Sequence, residues 1–274
     1  GEGYGLHKSS VDQIAEAGVK LIVTVDNGIS AVEEIAYARE KGIDVVVTDH
    51  HQPQETLPEA AAVVDPHRAD CPSEFKDYAG VGVAFQLVCA LEGDVESVLE
   101  RYADLVALGT LADVMPLRGE NRALVRRGLR MLGEGGRLGL RKLAEVAGMA
   151  GKPQTSTSAV FTLAPRINAA GRLDTMENGI ECLLADDPVV ALDYARSLND
   201  FNAARQELET EMQQAAETAL SCCNVDSLAT LTLYDGRFNE GVVGLVASRL
   251  KEKVNRPTIV FAPTDDGALK GSGR

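Results

Sequence analysis

The chain has 274 residues, 45% of them hydrophobic, and a formal net charge of −14. That length suffices for one large or two modest domains with a real core, and no apolar run approaches the roughly 18 residues that a membrane-spanning helix needs. The acidic balance argues against a general nucleic-acid binder, although metal-holding carboxylates also count toward it, and five cysteines without C-x-x-C spacing suit a reducing cytoplasm.

Residues 9–17 read as a short helix that feeds a strand at 21–25, which stops at Asp26-Asn27-Gly28. Ser30 and Glu33 form a capping-box pattern that predicts a helix from about Ala31, ended by Gly42. Residues 45–48 read as a second strand, ending in Asp49-His50-His51. Two strands joined by a helix are parallel, with a right-handed crossover. Asp26 and the Asp49-His50-His51 triplet should then share the carboxyl edge of the sheet, where open α/β sheets bind ligands. Either piece alone reads as a turn or a surface feature. Together they point to a hard-cation or mixed nitrogen–oxygen metal site.

A third strand is predicted at 61–64, followed by a Pro-containing loop in which His67 and Asp70 read as structural. Residues 78–91 form an apolar helix opened by Gly80 and Gly82, which permit close backbone approach. Residues 103–112 form another, with Asp113 at its last turn, where the helix dipole disfavours an acid; a bound cation would resolve that conflict. Helices follow at 120–133 and 141–148, then a polar loop at 149–158. Between 118 and 142 there are eight Arg or Lys and two acids, and Arg122, Arg126 and Arg130 recur at i, i+4 on one helix face. That face is either simply solvated or a phosphate-attracting patch. Residues 165–172 carry two arginines, an Asn and a Gly with little apolar bulk, which suits anion contact rather than a core.

Residues 188–220 predict one long helix of roughly 50 Å, with a seam at Ala191, Tyr194, Leu198, Phe201, Leu208, Met212, Ala215 and Ala219 that Arg205 interrupts. It reads as an inter-domain strut. Beyond it come a strand at 228–234, a helix at 240–253, a strand at 258–261, a turn at Asp265-Asp266-Gly267 and the glycine-rich Gly271-Ser272-Gly273-Arg274. Glycines there let backbone N–H groups face an anion, with Ser and Arg as added donors.

VDNG at 25–28 followed by TDHH at 48–51 resembles two motifs of the DHH phosphoesterase superfamily, and the likeness extends to EGYGL at 2–6, AGVGVAF at 79–85, ALGTLADVMPL at 107–117, PRINAAGRLD at 165–174, EGVVGLVASRL at 240–250 and KGSGR at 270–274. The resemblance implies an α/β fold. A parallel-sheet DHH domain at 1–186 would be joined by a connecting helix at 187–221 to a smaller DHHA1-like nucleic-acid-binding domain at 222–274. It implies Asp26, His50 and Asp113 as metal ligands, with Asp26 bridging two divalent cations, Mn2+ or Mg2+. His51 would act on the scissile phosphate or leaving oxygen, and Asp49 would orient a histidine. Arg166, Asn168, Arg172, Ser272 and Arg274 would grip the nucleotide backbone and a terminal 5′ phosphate.

The implied activity is a 5′→3′ exonuclease on single-stranded DNA, releasing 5′-mononucleotides in recombination and repair, in a cytoplasmic monomer that works with a single-stranded-DNA-binding protein and a helicase. Other readings are a DHH phosphoesterase on short oligonucleotides, cyclic dinucleotides or pyrophosphate, or a non-catalytic DHH scaffold. The family's Asp-rich first motif is not in this sequence, so the chain is expected to be a fragment that binds metal weakly and does not cleave alone. Phe238 and Asn239 stand where members commonly carry Trp and His, which leaves that position without an assigned role.

Overall fold

The computed structural model describes residues 5–221, 228–264 and 267–274. Residues 2–4 of the EGYGL block, Cys222 and Cys223, and the Asp265-Asp266 part of the expected turn lie outside the described residues. In chain order the elements are α1 (Lys8–Glu16), β1 (Leu21–Val25), α2 (Val32–Glu40), β2 (Asp44–Thr48), β3 (Ala62–Val64), α3 (Gly80–Glu92), α4 (Val95–Ala112), α5 (Gly119–Gly133), α6 (Leu138–Val146), a short α7 (Ser156–Ser158), a π-helical turn (Ala159–Leu163), α8 (Ala164–Leu173), α9 (Glu177–Leu184), α10 (Pro188–Ser221), β4 (Leu231–Tyr234), α11 (Val243–Val254), β5 (Thr258–Pro263) and β6 (Leu269–Gly273). Among the described residues no helix is long and apolar enough to cross a membrane.

The chain divides into two compact units, residues 1–137 with 152–164, and residues 138–151 with 165–274. The first is built on a parallel sheet ordered β1-β2-β3, with Leu21 opposite Asp44 and Val46 opposite Ala62. The sheet covers a core of Val11, Ile35, Ala38, Ile43, Val45 and Val47. A second core joins α3 to α4 and α5 through Tyr78, Val83, Phe85, Val98, Val106 and Leu124. α4 and α5 close up at Gly128, where any Cβ would run into the carbonyl of Ala103 and the methyl of Ala107.

The capping box expected at the start of α2 does not form. The helix begins at Val32 behind Ala31, without a side-chain cap, and Glu33 instead meets Lys8 Nζ at 3.2 Å. Gly42 does end the element in a left-handed conformation, φ 74°. The expected loop at 149–158 also ends in helix, because Thr155 and Ser158 form a reciprocal capping box.

The second unit carries a mixed sheet, β4-β5 parallel and β5-β6 antiparallel, packed on α11 and α10 around Met212, Leu231, Val243, Val246, Leu250 and Val260. In α10 the buried line is Ala191, Ala195, Leu198, Asn202, Glu209, Met212, Ala216 and Leu220. The expected seam is therefore corrected by one residue at several turns. The cause is polar: Glu209 Oε2 lies 2.6 Å from Arg205 Nη1, Arg249 donates to its other oxygen, and Arg205 also donates to Asn202 Oδ1. A paired charge can occupy a buried position that a hydrophobic count assigns to Leu208.

One further expectation is corrected here. Residues 165–172 do serve a core, since Ile167, Ala169 and Ala170 are buried; small side chains supply close packing where bulk is lacking. The KGSGR block forms strand β6, with Ser272 opposite Val260 and the Arg274 amide donating to Thr258 O. Its glycine at 271 is explained by Phe261, whose ring carbon Cδ1 would lie 2.6 Å from a Cβ there.

Candidate metal centre and phosphate-contact residues

The carboxyl edge of the first sheet collects the side chains singled out above. Asp26 directly follows β1, and its amide donates to Thr48 O at 3.0 Å, so the ladder continues past the strand end. Its φ of 64° turns the chain sharply there, a conformation that short polar side chains tolerate better than most. Asp49 follows β2 in the same way, its amide donating to Val64 O at 3.0 Å.

Asp49 is buried and acts as a hub of acceptors. Its Oδ2 takes the Ile29 amide at 2.9 Å, and its Oδ1 takes the His50 amide at 2.7 Å and lies 2.7 Å from His51 Nδ1. Burial opposes its ionisation, but the donors from Ile29, His51 and His50 outweigh that and hold its carboxyl below the ordinary range. With Nδ1 facing Asp49, the Nε2 edge of the His51 ring is left for whatever enters the site.

His50 stands at the back, its side chain 9% exposed, with Nε2 2.9 Å from Asp26 Oδ1 and 3.5 Å from Asp113 Oδ2. The hydrogen bond to Asp26 raises its pKa, burial opposes this, and the charges of Asp26, Asp113 and Asp49 add to it. Burial likewise pushes the Asp113 carboxyl up, with His50 working against that and Asp26 with it. Asp113 caps α4, and Val114 beyond it holds φ 57°, a strained backbone for a β-branched residue. Asp26, His50 and His51 each offer a donor atom within 4.8 Å of the others. Carboxylate oxygens and imidazole nitrogens converging on one point, with the carboxylates open to solvent, are a donor set that suits a divalent cation of the Mn2+ type. Asp26, His50 and Asp113 are thus brought together, and His51 joins them more closely than its expected role required.

A neighbour that sequence reading passed over is Gly80, treated there only as a permissive helix start. A Cβ at Gly80 would stand 2.5 Å from Asp26 Oδ1. Behind the site, His67 and Asp70 are held in their loop: the His67 amide donates to Asp65 Oδ1, and Arg68 forks onto Asp70.

In the second unit, Arg172, Ser272 and Arg274 gather at the amino-terminal end of α11. Arg172 Nη1 donates to Gly241 O at 3.3 Å, while the Arg274 guanidinium bonds Ser272 Oγ at 3.0 Å and Ser248 Oγ at 3.1 Å. Gly244 lies beneath them, since a Cβ there would sit 3.2 Å from Ser272 Oγ. Arg166 is half-buried and donates to Asn199 Oδ1 at 3.1 Å, and burial lowers its pKa. Asn168 is exposed on the same helix, α8. Ser248 was not foreseen; its signal was the i, i+4 relation to Gly244 within the 240–250 block.

A parallel α/β sheet with Asp-Asn-Gly after one strand and Asp-His-His after the next is the arrangement of a DHH domain. Residues 4–110 match the family model described as DHH family, N-terminal domain, so this stretch is a DHH-family domain. It is similar to the single-stranded-DNA-specific exonuclease RecJ of Dickeya dadantii, 45% identical over all of this chain and 50% of that protein, and to RecJ of Escherichia coli, 44% identical over the same shares. The chain spans about half the length of these curated relatives. A crystal structure of exonuclease RecJ bound to manganese matches with a TM-score of 0.82 at 40% identity, over 95% of this chain and 65% of that one. RecJ from Thermus thermophilus in complex with Mn2+ matches at 0.79 and 38% identity, over 93% of this chain and 38% of that one. The α/β fold class expected from the sequence is the one observed.

Proposed function

We propose that this chain forms the metal-ligating core of a single-stranded-DNA-specific exonuclease that hydrolyses phosphodiesters in the 5′→3′ direction. The convergence of Asp26, His50 and Asp113 at one sheet edge carries the reading. RecJ relatives named for single-stranded DNA, and RecJ structures bound to Mn2+ or Mg2+, support it. We assign the domains as a DHH domain over 1–186, a connecting helix over 187–221 and a DHHA1-like domain over 222–274.

Asp26, His50 and Asp113 would hold the cation, with Asp26 placed to bridge to a second. When bound, such ions neutralise phosphate charge and lower the pKa of a water nucleophile. The chain's own groups do the rest. Asp49 fixes the His51 ring through Nδ1, so the opposite nitrogen meets the scissile phosphate or the leaving oxygen. Arg172, Ser272 and Arg274, at the start of α11, offer donors to a terminal phosphate where unsatisfied helix N–H groups also favour an anion. Arg166 and Asn168 extend that contact along α8. Work alongside a single-stranded-DNA-binding protein and a helicase in recombination and repair belongs to the same reading.

The test is Mn2+ titration of the chain and of its Asp26→Asn variant, together with cleavage assays on a protein of the relatives' length. Loss of metal binding in the variant, and mononucleotides released from single-stranded but not duplex DNA, are expected. Equal cleavage of dinucleotides and long strands would move the assignment to an oligonucleotide phosphoesterase. Unchanged Mn2+ affinity in the variant would overturn the site.

A further inference from the structure

α5 carries four arginines between residues 122 and 130, and they have different surroundings. Arg127 is half-buried and lies 3.0 Å from Glu96 Oε1 and 4.0 Å from Glu100 Oε1 of α4. Arg122, Arg126 and Arg130 are exposed, and among the described residues no ion pair or side-chain hydrogen bond engages them. Gly128 marks the face that α5 turns to α4. At about 100° per residue, the buried Asn121, Leu124, Val125 and Leu132 lie within roughly 60° of Gly128, and the three free arginines lie roughly 120° to 200° away. They therefore project outward, with Ala123 and Gly133 between and beside them; the one acid near that face is Glu134, the residue that ends the helix one turn past Arg130.

Like charges at i, i+4 repel, and this chain has an acidic excess from which to neutralise them, with a net charge of −14. It does so at Arg127 and at Arg118, whose Nε lies 2.6 Å from Asp77 Oδ2, but not along the stripe. The stripe also has a direction. α5 follows Asp113 after a short loop and runs back along α4, as its pairing of Arg127 with Glu96 and Glu100 requires. Arg122 thus lies toward the Asp113 end and Arg130 away from it, over about 12 Å of helix.

We propose that Arg122, Arg126 and Arg130 form a second track for the sugar–phosphate backbone of a single strand, outside the metal-binding cluster and leading away from its Asp113 side. The inference rests on the single-strand nuclease reading and adds to it a surface that long substrates meet and short ones do not. Guanidinium groups in a row read phosphates without regard to base sequence.

The experiment measures binding of fluorescent oligodeoxythymidine to the full chain in EDTA, over about 50 to about 200 mM salt. The triple variant Arg122→Gln, Arg126→Gln, Arg130→Gln should bind a long strand more weakly, with the slope of log K against log salt shallower by about 2. Its affinity for a 5′-phosphorylated dinucleotide should match the parent's. Arg127→Gln should leave the slope where it was, and the triple Arg→Lys variant should retain it. An unchanged slope in the triple Gln variant overturns the proposal, as does equal loss for long and short ligands. Loss of affinity for a polyglutamate peptide alone would assign the stripe to an acidic protein partner and also overturn it. If the parent chain binds no oligodeoxynucleotide, the nuclease reading fails with it; binding with an unaltered slope in the variant sinks this inference alone.

Discussion

Gly80 and Asp26 touch so closely that no side chain fits between them: a Cβ on Gly80 would lie 2.5 Å from Oδ1 and 2.6 Å from Cγ of Asp26. Gly80→Ala must therefore move a carboxylate of the candidate site. We expect Mn2+ affinity to fall at least about tenfold, with an overpacking cost of about 1–3 kcal/mol in stability. Gly82→Ala, whose new methyl would meet the Tyr78 ring instead, should leave the metal affinity alone. Calorimetric titration of both variants decides it, and equal affinities would remove Asp26 from the ligand set.

His50 sets opposite pH trends for stability and for metal binding. Its pKa is raised, chiefly by Asp26. In the metal-free chain the protonated ring stabilises the fold fully below the unfolded value of about 6.5, and that contribution is lost as pH rises through the higher folded value. A cation needs the neutral ring, so Mn2+ affinity should climb through the same window. Thermal melts of the metal-free chain should drift down as pH rises from about 6, while Mn2+ titrations tighten. A flat metal affinity over that range would mean that His50 is not a ligand.

Asp65 carries a cost that pH exposes. It is buried, and among the described residues its Oδ2 has no donor. Burial pushes its carboxyl above the ordinary value, so the unfolded chain ionises first. Stability then falls as pH rises from about 3.9 and the penalty is complete above the folded value. Asp65→Asn should raise stability at neutral pH by about 1 kcal/mol and give nothing near about pH 3. Urea midpoints at the two pH values check this; an equal gain at both would contradict it.

Glu209 anchors the buried polar stretch of α10. Removing it in Glu209→Ala strands Arg205, and should cost about 3 kcal/mol. Replacing Arg205 and Glu209 together by leucine should recover most of that loss, because the pair need not be desolvated. A double variant no more stable than Glu209→Ala would show that Arg205 has other partners that matter more.

Much of the first sheet was legible in the residues themselves. β-branched runs ending in Asp26 and Asp49, with a helical stretch between, leave one parallel arrangement, and that arrangement alone brings Asp26 to His50. Asp113 was placed by its motif and by the oddity of an acid at a helix end. What misled were features decided by distant partners. Glu33 looked like a cap but meets Lys8, and the expected seam of α10 passed over Glu209, which Arg205 and Arg249 neutralise. Gly271 was read as freeing backbone N–H groups for an anion, but a Cβ there would meet the Phe261 ring. Lys8, Arg249 and Phe261 lie too far away in sequence for periodicity or turn chemistry to reveal them; only Arg205, four residues before Glu209, was within reach of helix spacing.

Two residues of the candidate metal centre's frame, Asp26 and Val114, hold left-handed backbone, one at a proposed ligand position and one immediately after Asp113. The main chain thus sets where the Cβ of Asp26 points and how the chain leaves Asp113, so both carboxylates start from a backbone already shaped before any ion arrives. Capture then asks little rearrangement of the polypeptide, and its slow step becomes the shedding of the ion's own water. Magnesium gives up that shell reluctantly. Loading of this centre should accordingly be quicker with manganese even where the two ions end up held with similar strength.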